Sequence, residues 1–233
     1  ATAVSLPILN RSGILQISPS NTAVGLTKKS ADPAEPAKYY PTGKRTYGRV
    51  VPADNIQSAA QVSYMKSLGV KKLYVLDDKE VYGKGVGDGV AADAKKAGIQ
   101  VLGDEGIDPK AANYRSLAQK MKSAGADAFF FGGITANNAV QLWSDVFAAN
   151  PNIKGFQGSA STDAPGIGQA IEEAGLQDVI SVVGTSLPSL SGELMKTGAV
   201  DVIGFWDPAQ AGKACNKIAQ MSIAGETIGE GTD

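Results

Sequence analysis

Short apolar runs and longer amphipathic stretches alternate along the chain from residue 55 onward, and most of the amphipathic stretches end at a glycine. The apolar runs predict strands, and the amphipathic stretches predict helices. The run at 128–131 (AFFF) is apolar at every position, which is typical of a central strand in a parallel sheet. The alternation therefore predicts an α/β fold with a doubly wound parallel sheet. The predicted strands are 72–76, 99–102, 128–131, 153–156, 180–183 and 200–205, and the predicted helices are 57–68, 85–97, 114–123, 136–149, 167–174, 190–196 and 209–224.

The first fifty residues follow a different pattern. Residues 2–10 predict a short helix whose proline lies early, and residues 14–17 predict a short buried strand. Residues 27–48 are rich in Lys, Pro, Ala and Tyr and have no regular period, so they predict a long loop. Residues 47–51 predict an extended segment that leads into the regular alternation.

The composition excludes several classes of chemistry. The chain has no histidine and a single cysteine, Cys215, so neither a Ser-His-Asp triad nor a Cys-His pair can form within it. One cysteine also provides no internal disulfide and no zinc cluster, and we expect Cys215 to pack in an Ala-rich helix. With 22 basic and 23 acidic residues and no basic stripe, nucleic-acid binding is not expected. No enzyme activity, cofactor or metal is expected.

Polar turns follow two of the predicted strands. In a doubly wound sheet, ligands bind beyond the carboxyl ends of the strands. Residues 18–22 (SPSNT) can present hydroxyl and N–H groups to a carboxylate or a sugar, or can form a Ser/Thr turn that satisfies itself. In the second turn, 158–165 (GSASTDAP), we expect Thr162 or Asp163 to cap the helix that Pro165 opens.

Three further motifs allow more than one interpretation. The glycine-rich run 82–89 (YGKGVGDG) can cradle a phosphate but lacks the P-loop order; alternatively it is a loosely packed helix start, or Tyr82 is the aromatic wall of a cleft. For 77–78 (DD), helix capping or pairing with Lys79 is favoured over metal binding. Trp206 either stacks on a ligand or packs at a hinge.

Residues 1–146 resemble the substrate-binding proteins of branched-chain amino-acid ABC transporters. The resemblance implies a type I periplasmic-binding-protein-like fold, in which two α/β lobes joined by a hinge clamp an amino acid. It also implies that Ser20 and Thr22, with Asn21 between them, bind the α-carboxylate and α-amino groups, and that Tyr82 lines the cleft. Thr135 lies where relatives often place an aromatic residue. The stretches that carry the resemblance are 6–10 (LPILN), 16–22 (QISPSNT), 40–47 (YPTGKRTY), 77–83 (DDKEVYG), 105–109 (EGIDP) and 131–133 (FGG).

After residue 147 the resemblance changes to the sugar- and autoinducer-binding branch of the same superfamily. This resemblance implies ligand contacts at Ser159 and Ser161. It also implies that Trp206 and Asp207 lie near the return crossing to lobe one. The stretches that carry it are 150–155 (NPNIKG), 161–166 (STDAPG), 168–170 (GQA) and 204–208 (GFWDP).

The two resemblances imply a domain organisation. We expect lobe two to be complete over 49–205, and lobe one to be represented only in part by 1–48 and 206–233. The opening strands and helices of the family are expected to be absent. A chimera, a fragment and an incompletely determined sequence all stay open as explanations.

The expected function is that of an extracytoplasmic solute-binding protein, periplasmic or extracellular, with tethering through a removed N-terminal segment left open. It would deliver a branched-chain or related amino acid to an ABC transporter permease. A sugar or autoinducer-type ligand stays open as an alternative. So does a lobe that binds no ligand, or that forms a homodimer through its hinge face.

Overall fold

The computed structural model describes residues 2–150, 153–205 and 207–228. The chain divides into two compact units. The first unit is Ala1–Ile56 with Trp206–Asp233, and the second unit is Gln57–Phe205. The assignment of these units to lobe one and lobe two stays a prediction.

The first unit begins with helix α1 (Thr2–Arg11), as predicted, followed by β1 (Gln16–Ser18) and β2 (Tyr47–Arg49). The two strands pair in parallel. The strand predicted at 14–17 is shifted, because the side chain of Ile14 is exposed and regular pairing starts two residues later. The segment predicted as a loop at 27–48 contains a 3₁₀ turn, Ala37–Tyr39, whose tyrosine joins the small core of this unit.

The second unit contains a six-stranded sheet. The strands are β3 (Lys72–Asp77), β4 (Gln100–Gly106), β5 (Ala128–Gly132), β6 (Gly155–Gly158), β7 (Ser181–Thr185) and β8 (Val202–Gly204). Their order is β4-β3-β5-β6-β7-β8, and every neighbouring pair is parallel, which confirms the predicted α/β fold and its doubly wound sheet. The helices are α2 (Asp54–Ser67), α3 (Val81–Lys96), α4 (Arg115–Ala124), α5 (Ala139–Ala149), α6 (Asp163–Ala174) and α7 (Pro188–Lys196).

Alternate side chains of the central strands enter two separate cores. In β5, Phe129 and Phe131 pack with α4, α5 and α6 on one face of the sheet, and Phe130 packs with α2 and α3 on the other. Burial on both faces explains why β5 is apolar throughout. Helix α8 (Pro208–Ile223) completes the described chain, packs on β1 in the first unit and carries the partly buried Cys215.

The glycine-rich run 82–89 is not a loop: it lies inside α3, which begins at Val81. Of the alternatives for this run, the phosphate-cradling turn is therefore wrong and the helix start is confirmed, with the helix beginning at Val81. Gly83 is explained by close packing, because a Cβ at this position would lie 2.3 Å from the carbonyl oxygen of Gly132. Glycine lowers helix propensity, but tertiary contact overrides that local preference here.

The strand order reverses at β3, which lies between β4 and β5. The chain leaves β3 toward one side of the sheet for β4 and continues on the other side with β5. In open α/β sheets the crevice beyond the strand ends at such a reversal is where ligands bind. The turns that follow β3, β5 and β6 therefore border this crevice. None of the helices among the described residues has the length and apolar character that a membrane crossing requires.

Candidate functional site

Five polar residues at the carboxyl ends of four adjacent strands form a connected set of hydrogen bonds. We call them the strand-end cluster: Asp78 after β3, Thr135 after β5, Ser159 and Asp163 after β6, and Ser186 after β7. Four of the five are buried, and Thr135 is partly exposed. Buried polar groups are stable only when they are hydrogen-bonded, so the geometry of this cluster is tightly determined.

Asp78 joins the turn after β3 to the turn after β5. Its carboxylate is 3% exposed. Oδ1 accepts a hydrogen bond from the backbone N–H of Glu80 at 3.1 Å, and Oδ2 accepts from the backbone N–H of Ile134 at 3.2 Å and from Nδ2 of Asn137 at 2.7 Å. The expectation that 77–78 caps the next helix is wrong, because no side chain caps α3. The turn that carries Ile134 and Thr135 is instead fixed by a carboxylate from the neighbouring strand.

Asp163 joins the turn after β6 to Thr135. It is 0% exposed. Its Oδ2 accepts from the backbone N–H groups of Ser159 at 3.0 Å and Ala160 at 2.9 Å, and its Oδ1 lies 2.9 Å from Oγ1 of Thr135. The expected capping of α6 by Thr162 or Asp163 is wrong, because the Asp163 carboxylate turns back to the 158–161 segment and no side chain caps the helix. Burial raises the pKa of Asp163 to about 6.

Ser159 links the turn after β6 to the turn after β5 through hydrogen bonds. Its hydroxyl accepts from the backbone N–H of Gly133 and donates to the carbonyl of the same residue, both at 3.1 Å. Its carbonyl oxygen accepts from the hydroxyl of Tyr82 at 2.7 Å and from Nε2 of Gln57 at 3.4 Å. The hydroxyl of Tyr82 is therefore anchored on the turn after β6, and its ring remains partly exposed.

The turn after β6 is also hydrogen-bonded to a residue that follows β7. The hydroxyl of Ser186 donates to the carbonyl oxygen of Ser161 at 2.9 Å and lies 2.7 Å from the hydroxyl of Ser191. The side chain of Ser161 remains exposed. The turns after β3, β5, β6 and β7 thus form one hydrogen-bonded edge.

The structure brings together four of the residues predicted to bind ligand: Tyr82, Thr135, Ser159 and Ser161 all lie along this edge. Trp206 lies outside the described residues. Two buried carboxylates that organise the edge, Asp78 and Asp163, were not predicted as functional. The available signal was an acidic residue directly after a buried strand for Asp78, and an acidic residue in the polar turn after a strand for Asp163.

The other predicted residues lie in the first unit, where they make contacts within that unit. The hydroxyl of Ser18 accepts from the backbone N–H groups of Ser20 at 3.3 Å and Asn21 at 2.9 Å, so the turn adopts the alternative that satisfies its own N–H groups. The carbonyl of Thr22 accepts from the backbone N–H of Asp54. Asp207 caps α8, accepting from the backbone N–H of the residue two positions on at 2.7 Å.

The raised pKa of Asp163 predicts a pH-dependent stability. Relative to Asp163→Asn, we expect the free energy of unfolding of the wild type to fall as the pH rises from below 3.8, the ordinary pKa, to above about 6. The folded state holds the Asp163 proton more tightly than the unfolded chain, so this stabilisation is present below 3.8 and is lost as the pH passes the folded-state pKa. Urea unfolding of both proteins across this range measures the difference. A difference that stays constant, or that favours the wild type at higher pH, would contradict the expected burial cost.

A family model described as a periplasmic binding protein matches residues 1–197. The Leu/Ile/Val-binding protein homolog 3 of Brucella melitensis is 31% identical over 143 residues, which cover 60% of this chain and 35% of that protein. The Leu/Ile/Val-binding protein BraC3 of Rhizobium johnstonii is 29% identical over 174 residues, covering 72% of this chain and 43% of that protein. The chain thus spans less than half the length of these relatives.

Two solved structures share the fold. An ABC transporter substrate-binding protein from Desulfitobacterium hafniense, in complex with Leu, matches 84% of this chain and 53% of its own, with a TM-score of 0.59 and 16% identity. GanP, a glucose-galactose binding protein from Geobacillus stearothermophilus, matches 97% of this chain and 68% of its own, with a TM-score of 0.56 and 13% identity. At these identities the likeness shows the fold alone. With the family model matching residues 1–197, and a parallel sheet whose polar edge lies at its strand reversal, the chain belongs to the periplasmic binding protein family.

Proposed function

We propose that this chain binds an amino acid with an aliphatic side chain and serves as the extracytoplasmic binding component of an ABC transporter. The observation that carries the proposal is the braced polar edge at the strand reversal of the second unit, where ligands bind in folds of this type. The relatives named as Leu/Ile/Val-binding proteins support the choice of ligand class. The transporter permease is the proposed partner. The proposed role is transport, since the named relatives are binding proteins.

The exposed groups along this edge suit a small zwitterion with an apolar tail. Thr135 is partly exposed and carries a hydroxyl, and Tyr82 is partly exposed and its hydroxyl is already bound. Ile134 is 41% exposed beside Thr135, although its backbone N–H is held by Asp78. Ligand sites of this kind combine apolar contact with a few positioned polar groups. We therefore propose that Ile134 and Tyr82 contact the aliphatic chain and that Thr135 contacts a polar group of the ligand.

The other predicted residues have different proposed roles. Ser161 has an exposed hydroxyl on the same edge and is a proposed polar contact. The hydroxyl of Ser159 is engaged within the protein, so its proposed role is to hold the edge. Ser20 and Thr22 stay proposed contacts of the first unit for the ligand's carboxylate.

Ligand binding by the purified chain tests this proposal. We expect leucine, isoleucine or valine to raise the melting temperature, because a ligand at 100 times its Kd adds about 2.7 kcal/mol of stability. Calorimetric titration then gives the affinity. Glucose and galactose serve as matched neutral ligands, given the structural likeness to a glucose-galactose binding protein. A shift with the sugars alone would replace the amino-acid assignment, and a cooperative melt with no shift from either class would overturn the proposal.

A further inference from the structure

The hydroxyl of Thr135 lies between two hydrogen-bonding partners. Its Oγ1 is 2.9 Å from Oδ1 of Asp163 and 2.9 Å from Oγ1 of Thr162. A hydroxyl has one hydrogen and two lone pairs, whereas an ionised carboxylate can only accept. The Thr135 hydrogen therefore points to Asp163, because a hydrogen bond to a carboxylate is the stronger of the two. The lone pairs of Thr135 are left to accept hydrogen bonds, one of them from Thr162.

We propose that Asp163, acting through Thr135, makes this edge selective for a ligand that carries a positively charged amino group. Asp163 is a positioning residue that does not touch the ligand: its charge orients the hydroxyl of the partly exposed Thr135 so that the oxygen accepts from an ammonium group. The proposal rests on the proposed function and deepens it. An ammonium group has three donors and no acceptor, so it requires such an oxygen.

The charge around Thr135 supports this assignment. Asp163 and Asp78 are buried beside the turn that carries Thr135, and the ion pairs among the described residues involve neither of them. Asp78 binds the same turn through the backbone N–H of Ile134. Two carboxylates with no lysine or arginine partner in the described part of the chain place a negative potential under the turn, which favours a cation there.

A purely structural role does not account for the carboxylate. The hydrogen bonds to Ser159 and Ala160 need one accepting oxygen, Oδ2, which a neutral amide also supplies. Burial raises the pKa of Asp163 to about 6, so its ionised form is penalised at neutral pH. A charge kept at a cost to stability is typical of functional sites.

Replacing the carboxylate by an amide should reverse the hydrogen bond to Thr135. In Asp163→Asn the amide oxygen stays with the N–H groups of Ser159 and Ala160, so the NH₂ group occupies the position of Oδ1 and donates to Thr135. The Thr135 hydrogen is then free to point outward, and the edge presents a donor to the ligand. Protonation of Asp163 has the same consequence, because a neutral carboxyl can donate from Oδ1.

The pH dependence follows from the groups that face Asp163. Burial is the main cause of the raised pKa of Asp163 and the nearby Asp78 raises it further, while hydrogen bonds from the backbone of Ala160 and Ser159 and from Thr135 lower it. Leucine keeps both of its charges between pH 5 and pH 7.5. The affinity of the wild type for leucine should therefore fall as the pH drops through about 6, and the affinity of Asp163→Asn should not.

The experiment compares leucine with 2-hydroxy-4-methylpentanoate, which replaces the amino group by a hydroxyl. At neutral pH, Asp163→Asn should weaken leucine binding about tenfold, the difference between a charge-assisted and a neutral hydrogen bond, and leave the hydroxy acid nearly unchanged. Asp127→Asn is the matched control, because Asp127 accepts from the backbone N–H groups of Lys71 and Lys72 at the opposite end of the same sheet. It should change neither affinity.

Several outcomes would overturn the proposal. Equal weakening of both ligands in Asp163→Asn would show a structural role alone, as would a wild-type leucine affinity that does not change with pH. If Asp163→Asn does not fold, Thr135→Val provides the second variant, with the same selective loss of leucine expected and Thr135→Ser expected to restore it. Absence of binding of both ligands to the wild type would instead reject the proposed function, which separates the two failures.

Discussion

Replacing Gly83 by alanine is expected to destabilise the second unit by about 3 kcal/mol, a large cost for adding one methyl group. A Cβ at this position would lie 2.2 Å from Oδ1 of Asp78 and 2.3 Å from the carbonyl oxygen of Gly132. Neither neighbour can move easily, because Gly132 belongs to the central strand β5 and Asp78 is fixed by hydrogen bonds to Glu80, Ile134 and Asn137. Urea unfolding followed by far-UV circular dichroism measures the free energy of unfolding.

Gly85 provides the matched control in the same helix. It is exposed, and a Cβ there would meet nothing within 4 Å. Gly85→Ala should therefore stabilise the protein by about 0.5–1 kcal/mol, because alanine has the higher helix propensity. If Gly83→Ala were as stable as the wild type, α3 would have to lie further from β5 than it does here.

Replacing Trp143 by alanine is expected to cost about 3–5 kcal/mol, the usual range for removing a large aromatic side chain from a core. Trp143 is 0% exposed in α5. Its ring makes edge-to-face contacts with Phe156 at 5.5 Å and with Phe131 at 6.4 Å between centroids. These neighbours are anchored in β6 and β5, so the cavity cannot close by a small shift. Denaturant unfolding monitored by circular dichroism measures the loss.

Two further variants separate packing from other causes. Trp143→Phe keeps an aromatic ring and removes the indole N–H, which has no hydrogen-bond partner among the described residues, so it should cost only about 1–2 kcal/mol. Val140→Ala on the same helix, where Val140 is 50% exposed, should change stability by about 0.5 kcal/mol or less. Equal losses for Trp143→Ala and Val140→Ala would contradict the core position of the tryptophan.

The sheet could be predicted from the sequence because its signal is local. Strand β5 is recognisable from five consecutive uncharged residues. The helices are recognisable from the amphipathic repeat of their apolar residues and from the glycines that follow their C-termini. The glycine-rich start of α3 left several interpretations open, and the helix predicted from residue 85 begins at Val81. Local propensity disfavours a helix there, and only the contact of Gly83 with Gly132, 49 residues later in the chain, explains why glycine is required.

The polar edge was predictable in position but not in detail. Strand ends in such a sheet are where ligands bind, and Tyr82, Thr135 and Ser159 were predicted there. Asp163 was expected to cap its own helix, because a carboxylate at a helix start commonly does so. The structure shows that the N–H groups of the preceding turn and the hydroxyl of Thr135 compete for the same carboxylate and bind it instead.

By itself the sequence determined the fold class, the succession of strands and helices and the resemblance to binding proteins, since these depend on periodicity and on short motifs. Only the tertiary structure decided which polar groups are partners. Asp78 and Asn137 are separated by 59 positions, and Thr135 and Asp163 by 28. Such pairs form because parallel strands place their carboxyl ends side by side, and hydrogen bonds depend on distances of about 3 Å that no local pattern encodes.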